Sequence, residues 1–154
     1  MNKPILAAIC IIIGYLPSVS GIFVRPGEWY ANLAKPPLNP PPWIFGPAWT
    51  LLYLMIGLSL FFFISNTKSW KERKNGITFF ICQHILNFSW TPVFFHFHAM
   101  SAAFAIILGL LAMIAVTAWC FHRHSCTASI LLVPYMAWVT FASYLNLSLI
   151  ILNR

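Results

Sequence analysis

The chain has 154 residues, of which 60% are hydrophobic and 7% charged, with a formal net charge of +7 at neutral pH. An average soluble domain carries roughly 25% charged residues, so this composition excludes a water-soluble globule and indicates an integral membrane protein. The positive balance does not indicate nucleic acid, because the nine Lys and Arg residues are neither dense nor interleaved as a binding face.

Taken in chain order, continuous apolar runs predict membrane-spanning helices at about 4–24, 43–66, 77–97, 99–121 and 126–152, each reaching the roughly 20 residues that cross a bilayer. The runs do not alternate in polarity, and helices satisfy their own backbone polar groups in lipid. The expected fold is all-α: a single domain, residues 1–154, built as a bundle of five transmembrane helices with a structured, proline-rich first loop. The first run, opened by Lys3 and followed by small residues at 18–21, also has the outline of a cleaved signal peptide. Its apolar character continues through Gly21, Ile22, Phe23 and Val24, which favours an uncleaved span. Pro17, Pro92 and Pro134 lie inside predicted spans, so kinks are expected that leave the carbonyls of Ile13, Phe88 and Ile130 without their usual donors.

Residues 67–75 (TKSWKERKN), 97–99 and 122–126 read as plain turns, the first with Trp70 as an interfacial anchor. The connection 25–42 differs, because its length of about eighteen residues exceeds that of ordinary structureless loops. It holds Pro26, Pro36, Pro37, Pro40, Pro41 and Pro42, with Pro47 just inside the next span. Proline fixes its own φ and extends the preceding residue, so 35–42 is expected to be a stiff, non-helical strip. Trp29, Tyr30 and Trp43 bracket it. Two readings follow: a rigid lid over an opening, or an interfacial aromatic belt on a stiff spacer.

Polar residues at membrane depth fall on helical faces. Gln83, Asn87, Trp90 and Thr91 share one face of the third span; Trp49, Tyr53 and Ile56 form a stripe on the second; Tyr135, Trp138 and Ala142, then Leu145 and Asn146, do so on the fifth. Such groups face inward. Amides also join helices, at about 0.6 kcal/mol per membrane hydrogen bond, but that does not account for indole, phenol and amide recurring together. Ala142, one turn from Trp138, leaves room for a ligand plane or for close helix packing. Ala105, Gly109, Ala112 and Ala115 mark the fourth span for close contact within one bundle or between copies.

Catalytic groups are sparse. Glu28 and Glu72 are the two acids, both in predicted loops and without a carboxylate partner. His96 and His98, like His122 and His124, are two apart and diverge on a helix, so no metal site is expected. His84, well inside a span, is a candidate axial haem ligand. Cys10, Cys82, Cys120 and Cys126 lack paired spacing and read as small buried apolar residues rather than a disulfide or metal framework. Lys3, Lys68, Lys71, Arg73, Lys74 and Arg123 fall on one side of a five-span topology against Arg25, Lys35 and Arg154 on the other. That asymmetry places the amino terminus inside and the carboxyl terminus and first loop outside.

Four motifs, WYANLAKPPLNPP at 29–41, WIFGPAWTLLY at 43–53, NFSWTPVFF at 87–95 and VPYMAWVTFASYLN at 133–146, together resemble the translocator protein family, also called the tryptophan-rich sensory (TspO) or peripheral-type benzodiazepine receptor family. The resemblance spans all five runs and looks like a bacterial member, hence a multi-pass protein of a bacterial membrane. It implies a five-helix bundle, a homodimer, and a pocket beneath the first loop for protoporphyrin IX or related tetrapyrroles and for synthetic benzodiazepine-receptor ligands. Carried onto this chain, Trp49, Asn87, Trp138 and Ala142 match pocket positions, with Tyr30, Tyr53 and Trp90 in support. Some members are associated with light-dependent porphyrin degradation, which here would engage Trp49 and Trp138. The family's sterol segment needs Lys or Arg within about five residues of a Tyr; here LNLSLIILN separates Tyr144 from Arg154, which argues against a sterol as natural ligand. A flat, anionic π system also suits the residues themselves, with indole faces for stacking and Arg25 and Lys35 near its carboxylates. The expected function is a membrane receptor for tetrapyrroles, partnered by ligand and bilayer and needing no resident cofactor. A photo-oxidative enzyme and a haem-binding redox protein using His84 are the alternatives; a transporter is disfavoured by the lack of an internal repeat.

Overall fold

The computed structural model of the chain describes residues 2–154 and is helical, with no strand among the described residues. α1 (Lys3–Tyr15), a single 3-10 turn (Leu16–Ser18) and α2 (Val19–Phe23) form one interrupted rod. The short α3 (Glu28–Asn32) precedes three long helices, α4 (Pro42–Asn66), α5 (Trp70–Phe95) and α6 (Met100–His122), and a second interrupted rod of α7 (Cys126–Ile130) and α8 (Val133–Leu152).

Four rods are long and apolar enough to cross a membrane: Lys3–Phe23, Pro42–Asn66, Met100–His122 and Cys126–Leu152. α5 has 26 residues, about 39 Å at 1.5 Å per residue, yet falls outside that group. Lys71, Glu72, Arg73 and Lys74 fill its first turns and Gln83, His84 and Asn87 its middle. Where five apolar crossings were expected, apolar length therefore yields four, with α5 set apart by its polarity.

Local chemistry explains where helices start and stop, and corrects several expectations. The turn expected over 67–75 shrinks to residues 67–69. Ser69 Oγ accepts from the Glu72 N–H at 3.4 Å, the Ser-x-x-Glu spacing of a capping box, so α5 begins at Trp70. Arg73 then reaches back to donate to the carbonyls of Ile64 and Thr67, closing the end of α4. At Pro17 the chain tightens into the 3-10 turn, and the Leu16 N–H takes the Ile13 carbonyl that was expected to lack a donor. Ser18 and Ser20 donate to the carbonyls of Tyr15 and Pro17 at 2.7 and 2.9 Å. Pro134 does not kink a continuous helix; it occupies the first turn of α8, where a missing N–H costs nothing, and α7 stops before it. Cys126, expected to be buried, is exposed, whereas Cys10 is enclosed.

Within the first loop, expected to be structured, Glu28–Asn32 form α3. Residues 33–41 beyond it carry no helix. The Lys35 ammonium folds back over α3 and donates to the carbonyls of Tyr30, Ala31 and Leu33 at 2.8, 2.9 and 3.2 Å, satisfying groups that a helix C-terminus leaves open. Trp29, Tyr30 and Leu33 pack with Phe94, Ala103 and Leu149, where α5, α6 and α8 come together. The loop is also tied by an amide: Asn153 Oδ1 accepts from the Ala34 N–H at 2.9 Å and its Nδ2 donates to the Ala34 carbonyl at 3.0 Å.

Packing determines where the interior lies. α6 lies between α5 and α8, and α1 runs along α4 at close range. That approach depends on two glycines: a Cβ on Gly14 would stand 2.6 Å from the Tyr53 carbonyl oxygen, and one on Gly57 2.6 Å from the Ile11 Cα. α4, by contrast, meets α7 closely but α8 only slightly, and its backbone does not pack along α5. The space between α4, α5 and α8 is bridged by long side chains.

Candidate functional site

Those bridging side chains come from the stripes anticipated on three helices. On α4, Trp49 and Tyr53 are one turn apart and stack with ring centroids at 5.1 Å and planes 26° apart. The Tyr53 hydroxyl donates to Asn87 Oδ1 on α5 at 3.2 Å, and Asn87 Nδ2 donates to the Tyr135 hydroxyl on α8 at 2.6 Å. One amide thus ties three helices together. All three residues are buried, Tyr135 at 1% exposure, which is the condition under which polar groups need partners most. Trp138, one turn beyond Tyr135, presents an edge to the Trp49 ring at 6.5 Å and 84°, with Phe45 against it at 5.9 Å.

A second amide repeats the arrangement nearer the loop. Trp90 Nε1 donates to Asn146 Oδ1 at 3.2 Å, and Asn146 Nδ2 donates to the Met100 carbonyl at 3.0 Å, joining α5, α8 and α6. Trp90 stacks on Phe94 at 5.0 Å, and Tyr30 meets the edges of Phe94 and Phe95. The loop therefore rests on this layer. Burial pushes the Tyr30 phenol above its ordinary pKa, so its hydroxyl remains a donor, directed at Asn39 Oδ1 at 3.5 Å.

Each expected site residue can now be located. Trp49, Tyr53, Asn87 and Trp138 form one cluster, with Ala142 half-buried against the same core. Trp90 belongs to the layer beneath the loop, and Tyr30, on the loop itself, packs against that layer. Lys35 is engaged as the cap of α3, and Arg25 is exposed on the connection. His84 is held apart: its Nδ1 meets the Phe80 carbonyl at 3.0 Å, its ring lies on Phe80 at 4.2 Å, and its Nε2 is buried without a partner. Two participants were not anticipated as site residues, Tyr135 and Asn146, although both sit on the stripe that contains Trp138. Asn153 was also missed, since nothing in its sequence neighbourhood distinguishes it.

Chemically, the cluster offers paired donors and acceptors within aromatic walls and no acid, base or nucleophile. Glu72, one of the two acids, lies 3.8 Å from His124 at the far, basic end of the bundle. Gln83, one turn from Asn87 on the same face, is fully buried with neither amide atom paired. An unpaired buried amide costs about 1–3 kcal/mol, so Gln83→Met, which keeps the volume and removes the polarity, is expected to stabilise the bundle by about 1 kcal/mol. Thermal unfolding in detergent checks this; a lower midpoint would reveal a partner for the amide.

Comparison with known proteins identifies the family to which this geometry belongs. The TspO/MBR family profile matches residues 6–152. The tryptophan-rich protein TspO of Chlorobaculum tepidum is 38% identical, with 99% of each chain covered. The tryptophan-rich sensory protein of Cereibacter sphaeroides is 36% identical over 89% of this chain and 84% of its own. For the tryptophan-rich protein TspO of Archaeoglobus fulgidus the identity is 42%, over 81% of this chain and 80% of the relative. An apolar helical bundle with aromatic stripes, matched along nearly its whole length, is a membrane protein that belongs to the TspO/MBR family.

Proposed function

We propose that the chain is a membrane receptor that binds a tetrapyrrole such as protoporphyrin IX between α4, α5 and α8, beneath the first loop, and that also accepts synthetic ligands of the benzodiazepine-receptor type. The observation that carries this reading is the meeting of Trp49, Tyr53, Asn87, Tyr135 and Trp138, contributed by three helices whose backbones stand apart. A flat π system gains from offset or edge-on contact with indole and phenol rings, and the Asn87 amide supplies both a donor and an acceptor for a polar group on its rim. In this reading α5 serves as a fifth crossing, its polar middle turned to the ligand. The basic cluster from Lys68 to Lys74 faces the inside, and both the loop and the carboxyl terminus face outward. Of the two cations named for the carboxylates, Lys35 is held by α3, which makes Arg25 the better placed for a propionate. Assembly as a homodimer follows the family expectation.

Removing one indole tests the site. Trp138→Phe is expected to leave helical content unchanged and to weaken protoporphyrin binding about five-fold, the loss of one favourable aromatic contact. Quenching of intrinsic fluorescence during titration measures it, and an unaltered affinity would remove Trp138 from the pocket.

A second reading is supported by the pair Trp49 and Trp138, edge-on at 6.5 Å: an indole oxidised next to an excited pigment would have another indole beside it. Light- and oxygen-dependent degradation of bound porphyrin would use these two residues. Consumption of more than one equivalent of ligand under illumination, absent in darkness, distinguishes an enzyme from a receptor.

A further inference from the structure

Between α4 and α8 lies a groove of about 440 Å³ lined by Ala48, Leu51, Leu52 and Met55 on one helix and Pro134, Ala137, Trp138 and Phe141 on the other. Both sets recur at i, i+3, i+4 and i+7, so each is one continuous helical face. The groove arises because these helices diverge: α7 packs against α4, the chain breaks before Pro134, and α8 sets off with little contact to α4. Its α4 side begins about 9 Å and ends about 20 Å from the Pro42 end of that helix, a depth that belongs to hydrocarbon in a membrane-spanning rod. Leu51 and Ala137 on its walls are exposed.

Three observations say what this groove receives. First, Trp138 belongs to the groove lining and also meets Trp49, so a single indole separates the groove from the aromatic cluster. Second, the lining is almost wholly apolar, which suits a flat hydrophobic guest and gives nothing to a charged headgroup. Third, the way in from water is fastened: Asn153 holds Ala34 through both backbone atoms, Lys35 staples α3, and Tyr30 lies against Phe94 and Phe95.

The geometry points to a lateral entrance: the tetrapyrrole reaches its site from the bilayer through the α4–α8 groove, with Trp138 as the movable wall, while the loop stays closed. This rests on the binding reading above and adds the source of the ligand. A rim carboxylate trails toward the membrane surface as the macrocycle slides in, so the groove itself needs no cation. Membrane partitioning of the guest raises its local concentration at this opening, not at the loop.

The test uses full-length protein in lipid nanodiscs mixed rapidly with vesicles carrying protoporphyrin IX, followed by quenching of tryptophan fluorescence. Ala48→Leu with Ala137→Leu fills the groove without touching the aromatic cluster. Association is expected to slow about ten-fold, within the range over which rates vary among variants of one interface, and dissociation to slow equally, leaving equilibrium affinity within about two-fold. Leu51→Ala, which widens the groove, is expected to speed both. Asn153→Ala, which frees the loop, is expected to change neither. Unchanged association in the filled variant would overturn the proposal and leave the groove to lipid acyl chains; so would acceleration in Asn153→Ala, which would assign the route to the loop. Absence of binding in the unaltered protein would instead defeat the functional reading on which the route depends.

Discussion

A bundle carrying Asn87→Leu is expected to be less stable by about 2–4 kcal/mol, since two buried groups lose their partner at once. The Tyr53 hydroxyl loses its acceptor and the Tyr135 hydroxyl its donor, at positions where exposures of 6% and 1% keep solvent away. Counted only as membrane hydrogen bonds the loss would be about 1 kcal/mol, at roughly 0.6 kcal/mol each. That figure describes bonds whose partners find others when released. Here α4, α5 and α8 do not pack backbone to backbone around the amide, and the phenols are held by stacking on Trp49 and by the core. Stranding them costs nearer the desolvation of a polar group, about 1–3 kcal/mol apiece. Unfolding by denaturant in micelles measures the difference, with Tyr53→Phe as the reference at about 1 kcal/mol because it deletes a single bond. A cost for Asn87→Leu no larger than that reference would show that Asn87 is not a hub.

The same amide shows how much of the site is legible in a linear sequence. Residues at i and i+4 on a helix share a face whatever surrounds them, so Trp49 with Tyr53, and Trp138 with Ala142, follow from spacing alone. Which faces meet is a tertiary matter, and the inward rule for polar groups in lipid supplied it for Asn87. Tyr135 carried the same signal as Trp138 but reads equally as an aromatic core residue, and only the 2.6 Å bond to Asn87 separates the two roles. Asn153 and Ala34 are 119 positions apart; no periodicity links residues outside helices, so the fastening of the loop was not visible. The α5 start was visible and misread, because the charges of WKERKN resemble a turn until Ser69 is recognised as the N-cap that accepts from the Glu72 N–H. Lys35 shows a contact that spacing does not reveal: a cation in an outer loop looks free for a ligand, and here it lies on the open carbonyls of a five-residue helix.

Gly57→Leu is expected to leave no folded protein, and Gly57→Ala to lower stability by about 2–3 kcal/mol, the upper part of the range for overpacking. α6, marked in the sequence by Ala105, Gly109, Ala112 and Ala115, packs against α5 and α8, and a tighter, glycine-dependent approach lies between α1 and α4. A Cβ on Gly57 would approach the Ile11 Cα at 2.6 Å and the Cys10 carbonyl oxygen at 2.8 Å, while one on Gly14 would approach the Gly57 nitrogen at 2.7 Å. These are backbone atoms and cannot rotate aside, so α1 as a whole must move. Its retreat would open the contact of Tyr15 with Tyr53 at 5.8 Å and the bond from the Tyr15 hydroxyl to the Thr50 carbonyl at 2.7 Å. Tyr53 is one turn from Gly57 and holds Asn87, so displacement at the glycine pair also reaches the aromatic cluster. Gly109 provides the contrast: its added Cβ would meet only the Leu86 Cδ1 at 3.8 Å, an ordinary contact. Gly109→Ala is therefore expected to be neutral or to stabilise by up to about 1 kcal/mol through helix propensity. Thermal unfolding of the two alanine variants side by side decides the matter, for opposite signs require the glycine contact to lie between α1 and α4, and equal tolerance at both positions would mean that α1 does not lie against α4 as closely as this geometry demands.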